Sequence, residues 1–142
     1  MVRKADRTKS MLSIELTRRI RWADSDPAGR LYYARIFDYF TDAEDELLAK
    51  AGVAHGSYND PYVFPRVHTE CRFQKVLKLG DVFAIRATVG KLGRTSIRYD
   101  FQVFRDGEPD RPAAEGSVTV VIMKDGNAIE IPPSLREALS AG

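Results

Sequence analysis

The chain has almost no cysteine, little histidine and no long apolar run, and each shortage removes a class of function. Cys71 is the only thiol, so no intrachain disulfide can form, and no Cys/His spacing of the metal-binding kind occurs. The two histidines, His55 and His68, stand in different segments with no paired ligand nearby. No G-x-S-x-G string is present, so a Ser-His-Asp triad on a nucleophile elbow has no support. No run approaches the roughly 18 apolar residues that span a bilayer. The opening "MVRKADRTKS" is basic and polar and lacks the apolar centre of a secretory signal, so a cytoplasmic protein is expected. Charge of one sign is not in excess either: a net charge of +2 argues against a nucleic-acid or membrane-surface partner.

What is present is an ordinary globular balance, with 44% hydrophobic and 30% charged residues, in a 142-residue chain that suits one core. Residues 1–12 read as a flexible tail and 13–142 as one domain. "SIELTRRIRW" (13–22) alternates, with Ile14, Leu16, Ile20 and Trp22 on one side, and predicts a half-buried strand. Pro27 and Gly29 end it in a turn. From Tyr33 to Ala51 the period becomes helical: Ile36, Phe37, Phe40, Ala43, Leu47, Leu48 and Ala51 share one stripe, and Gly52 closes it. Glu44 projects into that stripe and is expected to snorkel or to meet a partner chain. Four further strand patterns follow. They are "RVHTECRFQK", "VFAIRATVG" with Phe83, Ile85, Ala87 and Val89 apolar, "SIRYDFQVF" with Ile97, Tyr99, Phe101 and Val103 inward, and "AAEGSVTVVIM". "IPPSLREALSAG" predicts a short C-terminal helix starting at the prolines.

Strands joined by short turns pair as antiparallel neighbours. One long helix with a wide apolar stripe needs a sheet to bury it. The expected fold is therefore α+β, a five-stranded antiparallel sheet wrapped around one long central helix, with a short C-terminal helix. The uncovered sheet face and edges favour a homodimer or homotetramer.

The stretch "RWADSDPAGRLYY" (21–33) carries the chemistry. An acid at a strand end, just ahead of a helix start, is either an Asx-turn or cap, or a carboxylate aimed at a ligand held by the helix N-terminus. Asp26 precedes Pro27, which biases it to extended geometry and lets the side chain project. Asp24 reads as structural, paired with an arginine.

A strand, D-x-D-P-A-G, a tyrosine, a helix and then four strands resembles the hotdog-fold acyl-CoA thioesterases, above all the 4-hydroxybenzoyl-CoA thioesterase type. The likeness runs from about Ile14 to Leu139. It implies that Asp26 is the catalytic carboxylate and that the backbone N–H of Tyr33 faces the thioester carbonyl. It also implies that Arg94, Thr95 and Ser96, in "KLGRTS", meet the coenzyme A nucleotide. Tyr32-Tyr33 stands where the Tol-Pal-linked sister group usually has Tyr-His, which favours a small aromatic acyl group over an aliphatic one. Tyr32, Glu44 and His68 are candidates to line or support the acyl pocket. No metal or resident cofactor is expected, since coenzyme A is part of the substrate.

The residues suit thioester hydrolysis. Free N–H groups and the positive dipole end at a helix N-terminus can stabilise an oxyanion without a side chain. Asp26 can attack the carbonyl or act as general base on water. The rivals are a hotdog dehydratase, which would need a histidine at the helix start, a hydrolase of acyl carrier protein thioesters, and a non-catalytic acyl-CoA sensor, which would keep the "KLGRTS" turn and drop the acid.

Overall fold

The computed structural model describes residues 11–53 and 61–140. His55, part of the connection after the long helix and residues 1–10 of the expected tail lie outside them. The elements in chain order are β1 (Ser13–Arg19), α1 (Ile36–Lys50), β2 (Tyr62–Val63), β3 (Arg66–Phe73), β4 (Val82–Leu92), β5 (Ser96–Arg105), β6 (Ala114–Val121), β7 (Met123–Lys124), β8 (Asn127–Ala128) and α2 (Pro133–Ser140). The five long strands form one antiparallel sheet in the order β1-β4-β5-β6-β3. β2, β7 and β8 make a small second sheet that the sequence did not announce.

Helix α1 lies across the main sheet, and the two periodicities meet there. Ile36, Phe40, Ala43, Leu47 and Leu48 of the helix are each 2% exposed or less. The alternating set of β4 and the alternating set of β5 face them, all at 1% or less. Phe40 stacks flat on Phe101, with ring centroids 4.4 Å apart. Each Val, Leu, Ile or Phe side chain among them, taken from water, contributes about 1.5–3 kcal/mol. This is the α+β arrangement, sheet around helix, that the pattern and the resemblance both implied.

Four local expectations change. Leu12 belongs to the domain, not the tail: it is buried and its N–H donates to the Leu139 carbonyl. β1 stops at Arg19, and Trp22 turns outward at 81% exposure because Trp22–Asp24 forms a 3₁₀ turn. β3 is not beside β4; it pairs with β6 at the sheet edge. The eight residues 74–81 between them have reach enough, at roughly 3.3 Å each, to cross the intervening strands. As an edge strand, β3 also leaves its apolar side uncovered within one chain, with Val67 59% and Phe73 45% exposed. Gly116 lets β3 approach β6, since a Cβ there would fall 2.1 Å from the Glu70 carbonyl oxygen.

Candidate active site

The loop that carries Asp26 is held from every side. Its two arms pair, with a bridge between Ser25 and Leu31 and an Asp26 N–H to Arg30 carbonyl bond of 2.7 Å. At its tip Gly29 has φ +77°, a conformation that L side chains rarely adopt. The crossover between β3 and β4 braces the outside. Leu31 N–H donates to the Leu77 carbonyl and Leu79 N–H to the Gly29 carbonyl, at 2.8 and 2.9 Å.

Within this loop the carboxylate of Asp26 is divided between two tasks. Oδ1 accepts the N–H groups of Ala28 and Arg30, at 2.9 and 3.0 Å, and so closes the turn. Oδ2 takes no hydrogen bond among the described residues. The sequence posed turn-former and reagent as alternatives, but the geometry permits both, one oxygen for each.

The helix start supplies the second component. Tyr33–Arg35 is a 3₁₀ turn that runs into α1, and no side chain caps either beginning. Tyr32 N–H is spent on the Asp24 carbonyl. The N–H of Tyr33 has no acceptor among the described residues, which leaves it free for a ligand. Asp26 and Tyr33 line one cavity of about 290 Å³, with Leu31, Phe73, Val76 and Leu77 as its apolar wall. Arg30, Gln74 and Lys75 complete the lining, so one recess is bordered by an acid, by the residue that carries a free backbone donor, and by both apolar and cationic side chains, types suited to hold and cleave an acyl group.

Asp24 is paired with an arginine, as the sequence suggested, and with more besides. It is 2% exposed. Arg21 grips it through Nε at 2.9 Å and Nη2 at 3.3 Å, and the Tyr39 hydroxyl donates to its Oδ2 at 2.5 Å. The Arg21 hydrogen bond holds the Asp24 carboxyl below the usual carboxylate range, while burial pushes the Tyr39 hydroxyl up to about 12. Tyr39 was absent from the sequence-derived stripe. It lies three residues after Ile36, so the helical period itself could have found it.

The remaining sequence candidates fall elsewhere. Tyr32 is half exposed and packs edge-on against Tyr33, with centroids 5.2 Å apart. Glu44 does not snorkel. It is buried at 2% and receives Arg66 Nη1 of its own chain at 3.0 Å. The snorkelling arm of the expectation is overturned because β3 brings a cation over the helix stripe. His68 sits on the exposed β3 edge, 3.1 Å from Glu70 Oε2. It is five residues from Phe73, roughly 16 Å along the strand from the cavity wall.

Arg94 and Thr95 form the turn after β4 and Ser96 opens β5, tied by Gly93 N–H to the Ser96 carbonyl and by Ile131 N–H to the Arg94 carbonyl. The Arg94 side chain is exposed beside Glu130 at 3.4 Å. The Asp26 loop docks at the opposite end of β4, an eleven-residue strand about 35 Å long. One chain therefore does not unite this turn with Asp26. Among the described residues no cluster of three or more His, Cys, Asp or Glu could hold a metal ion, and no helix is long and apolar enough to cross a membrane.

Comparison with known proteins bears on the fold and the family. The family model of the thioesterase-like superfamily matches residues 20–139. A 1,4-dihydroxy-2-naphthoyl-CoA hydrolase of Synechococcus elongatus is 28% identical over 102 residues, covering 70% of this chain and 75% of the relative. The crystal structure of a 1,4-dihydroxy-2-naphthoyl-CoA thioesterase from Synechocystis superposes with a TM-score of 0.81 at 16% identity, covering 89% of this chain and 95% of that one. A mutant 4-hydroxybenzoyl-CoA thioesterase complexed with 4-hydroxybenzoyl-CoA gives 0.81 at 24% identity, covering 91% and 99%. The chain thus belongs to the thioesterase-like superfamily and is a thioester hydrolase on a hotdog fold.

Proposed function

We propose that the protein hydrolyses a small aromatic acyl-CoA to the free acid and coenzyme A. The observation that carries this reading is that Asp26, whose carboxylate has one unengaged oxygen, and Tyr33, whose helix N-terminal N–H has no acceptor among the described residues, line the same cavity. The thioester carbonyl oxygen sits against the Tyr33 N–H, and the acyl group lies along Leu31, Phe73, Val76 and Leu77. As the carbonyl carbon becomes tetrahedral, the donor stabilises the oxyanion, an effect typically worth about 2.7–4 kcal/mol per donor. Asp26 Oδ2 either attacks that carbon, giving an anhydride that water then opens, or takes a proton from the attacking water. In both routes the C–S bond breaks and coenzyme A leaves as a thiolate, which takes the proton held by Asp26 in the water route and one from solvent in the direct route. The chemistry calls for no resident metal or cofactor. The aromatic preference is supported by the Phe73 and Tyr33 rings at the cavity and by the aryl-CoA substrates in the relatives' names.

In this reading the enzyme is a cytoplasmic homodimer that assembles to a homotetramer. The exposed edge of β3, with Val67 and Phe73 bare beside it, suits pairing with a second copy. A second copy also resolves the separation of about 35 Å along β4, because its Arg94–Ser96 turn can reach the coenzyme A phosphates of a substrate seated at this chain's Asp26.

The test is coenzyme A release over acyl-CoAs from acetyl to palmitoyl, with benzoyl, hydroxybenzoyl, phenylacetyl and dihydroxynaphthoyl thioesters included. Aryl thioesters should give the highest kcat/KM. A preference for straight chains would discard the acyl assignment, and binding without turnover would replace the enzyme with a sensor. Single turnover in ¹⁸O-water identifies direct attack when water opens the anhydride at the Asp26 carbonyl: the label then enters Asp26 and the first product is unlabelled, whereas a general base on water labels the product.

A further inference from the structure

The buried carboxylate of Asp24 has no access to substrate, yet it touches both halves of the site. Its backbone carbonyl accepts Tyr32 N–H at 2.8 Å, which fixes the residue immediately before the free donor of Tyr33. Its side chain accepts the Tyr39 hydroxyl at 2.5 Å, which fixes the first turns of α1. It stands two residues before Asp26, at the base of the loop that orients the acid. Arg21 holds it from the loop side, and Arg35 Nε approaches Oδ1 to 4.0 Å from the helix side. Tyr39 is itself clamped, edge-on against Phe83 of β4 at 5.0 Å. Beyond the covalent link through Tyr32, the acid loop and the helix start are each docked on their own neighbours. Asp24 is where they are fastened to one another.

We infer that Asp24, acting through Tyr39 and the Tyr32 amide, is a positioning residue that sets the spacing between the Asp26 carboxylate and the Tyr33 N–H. This rests on the reading of Asp26 as the reacting acid. The physical need is plain: attack requires the acid and the oxyanion donor to bracket one carbonyl, and a misplacement of about 1 Å can cost on the order of 100-fold in rate. Binding of the nucleotide and the acyl wall does not pass through Asp24, so the loss should fall on kcat and leave KM alone.

The experiment compares Asp24→Asn, Asp24→Ala and Tyr39→Phe with wild type, and repeats the first in an Asp26→Asn background, on the best substrate of the acyl-CoA panel. Measurements are made well below each variant's unfolding midpoint, so that folding losses do not enter. Tyr39→Phe removes one hydroxyl from a ring that stays packed, and keeps the test open should Asp24→Ala fail to fold. The expected result is kcat about tenfold lower in Tyr39→Phe and lower again in Asp24→Asn, with KM within about twofold. Asn, which keeps an acceptor for Tyr39, should recover part of what Ala loses. In the Asp26→Asn background, Asp24→Asn should add no further loss. Wild-type kcat in both Tyr39→Phe and Asp24→Asn, with Asp26→Asn inactive, overturns the positioning role and leaves the acid reading intact. Additive losses in the double variant overturn it too, because Asp24 would then act on something other than Asp26. Full activity in Asp26→Asn fells the acid reading and this inference with it.

Discussion

Replacing Asp26 by Asn and by Ala separates its two tasks. Oδ1 receives two backbone N–H groups, and Oδ2 receives none among the described residues. Asn can keep a carbonyl oxygen in the Oδ1 place and put its NH₂ where Oδ2 was. The turn should survive, the Tm should stay within about 2 °C, and kcat should fall by roughly 10²–10⁴, the usual contribution of a positioned base. That corresponds to about 2.7–5.5 kcal/mol of lost transition-state stabilisation. Ala removes both acceptors. Part of that loss is repaired by water, because the tip of the loop is solvent-exposed. The comparison with helix-cap deletions suggests about 1 kcal/mol, or roughly 4 °C in Tm for a chain of this size. Coenzyme A release measures the first quantity and thermal unfolding followed by circular dichroism the second. Asn with kcat within threefold of wild type would reduce Asp26 to a turn-former. Asn as destabilised as Ala would contradict the division of its oxygens.

Other outcomes follow from the same contacts. The Asp24 carboxyl is held below its ordinary range, so its contribution to stability is present above an unfolded-state value near 4 and is lost as the pH falls through the lower folded value. Tyr39 is raised to about 12, so its contribution is full below about 10 and disappears as the pH climbs through 12. A Tm-against-pH profile should sag on both flanks in wild type, and its alkaline flank should become shallower in Tyr39→Phe, where buried Cys71 and Tyr99 still contribute. Glu44→Gln breaks an ion pair buried on the helix side, while the Arg66 side chain is 37% exposed. Discounted for that exposure, the cost should be about 1–3 kcal/mol, read as a denaturant midpoint shift without a change in slope. Burial lifts the Cys71 thiol to about 11. A thiol reagent at pH 8 should therefore label it at least tenfold more slowly than free cysteine, and a fast reaction would contradict that environment.

The helix and the two central strands were legible because their signals are local. No Pro or Gly interrupts Tyr33–Ala51, and the inward sets of β4 and β5 alternate without a break, so period alone decides their faces. The position of β3 was not legible, because strand order depends on pairings between distant residues and a connection of eight residues permits several. Trp22 misled for a related reason: alternation continues on paper after β1 has ended. In the candidate site, an acid-bearing turn leading into the helix start was readable from the acid-Pro-Ala-Gly string. The sharing of one carboxylate between turn and ligand was not, since a residue letter does not apportion its two oxygens. Tyr39 was passed over because a tyrosine among apolar neighbours is recognised as polar only once its partner, fifteen residues earlier, is in place.

The Asp26 turn has a further consequence. Ala28 and Arg30 of the same loop orient the acid, and residues 32 and 33 present the amide. On the proposed reading, the groups that act on the thioester thus lie in one short contiguous stretch. The cavity wall comes largely from another segment, residues 73–77, at the start of the crossover. Cutting tool and fitting are therefore separate parts. The crossover can be altered to accept a wider or longer acyl group while the loop keeps its acid and its amide. Engineering a new substrate range is best begun there, with Phe73 and Val76, and not around the acid itself.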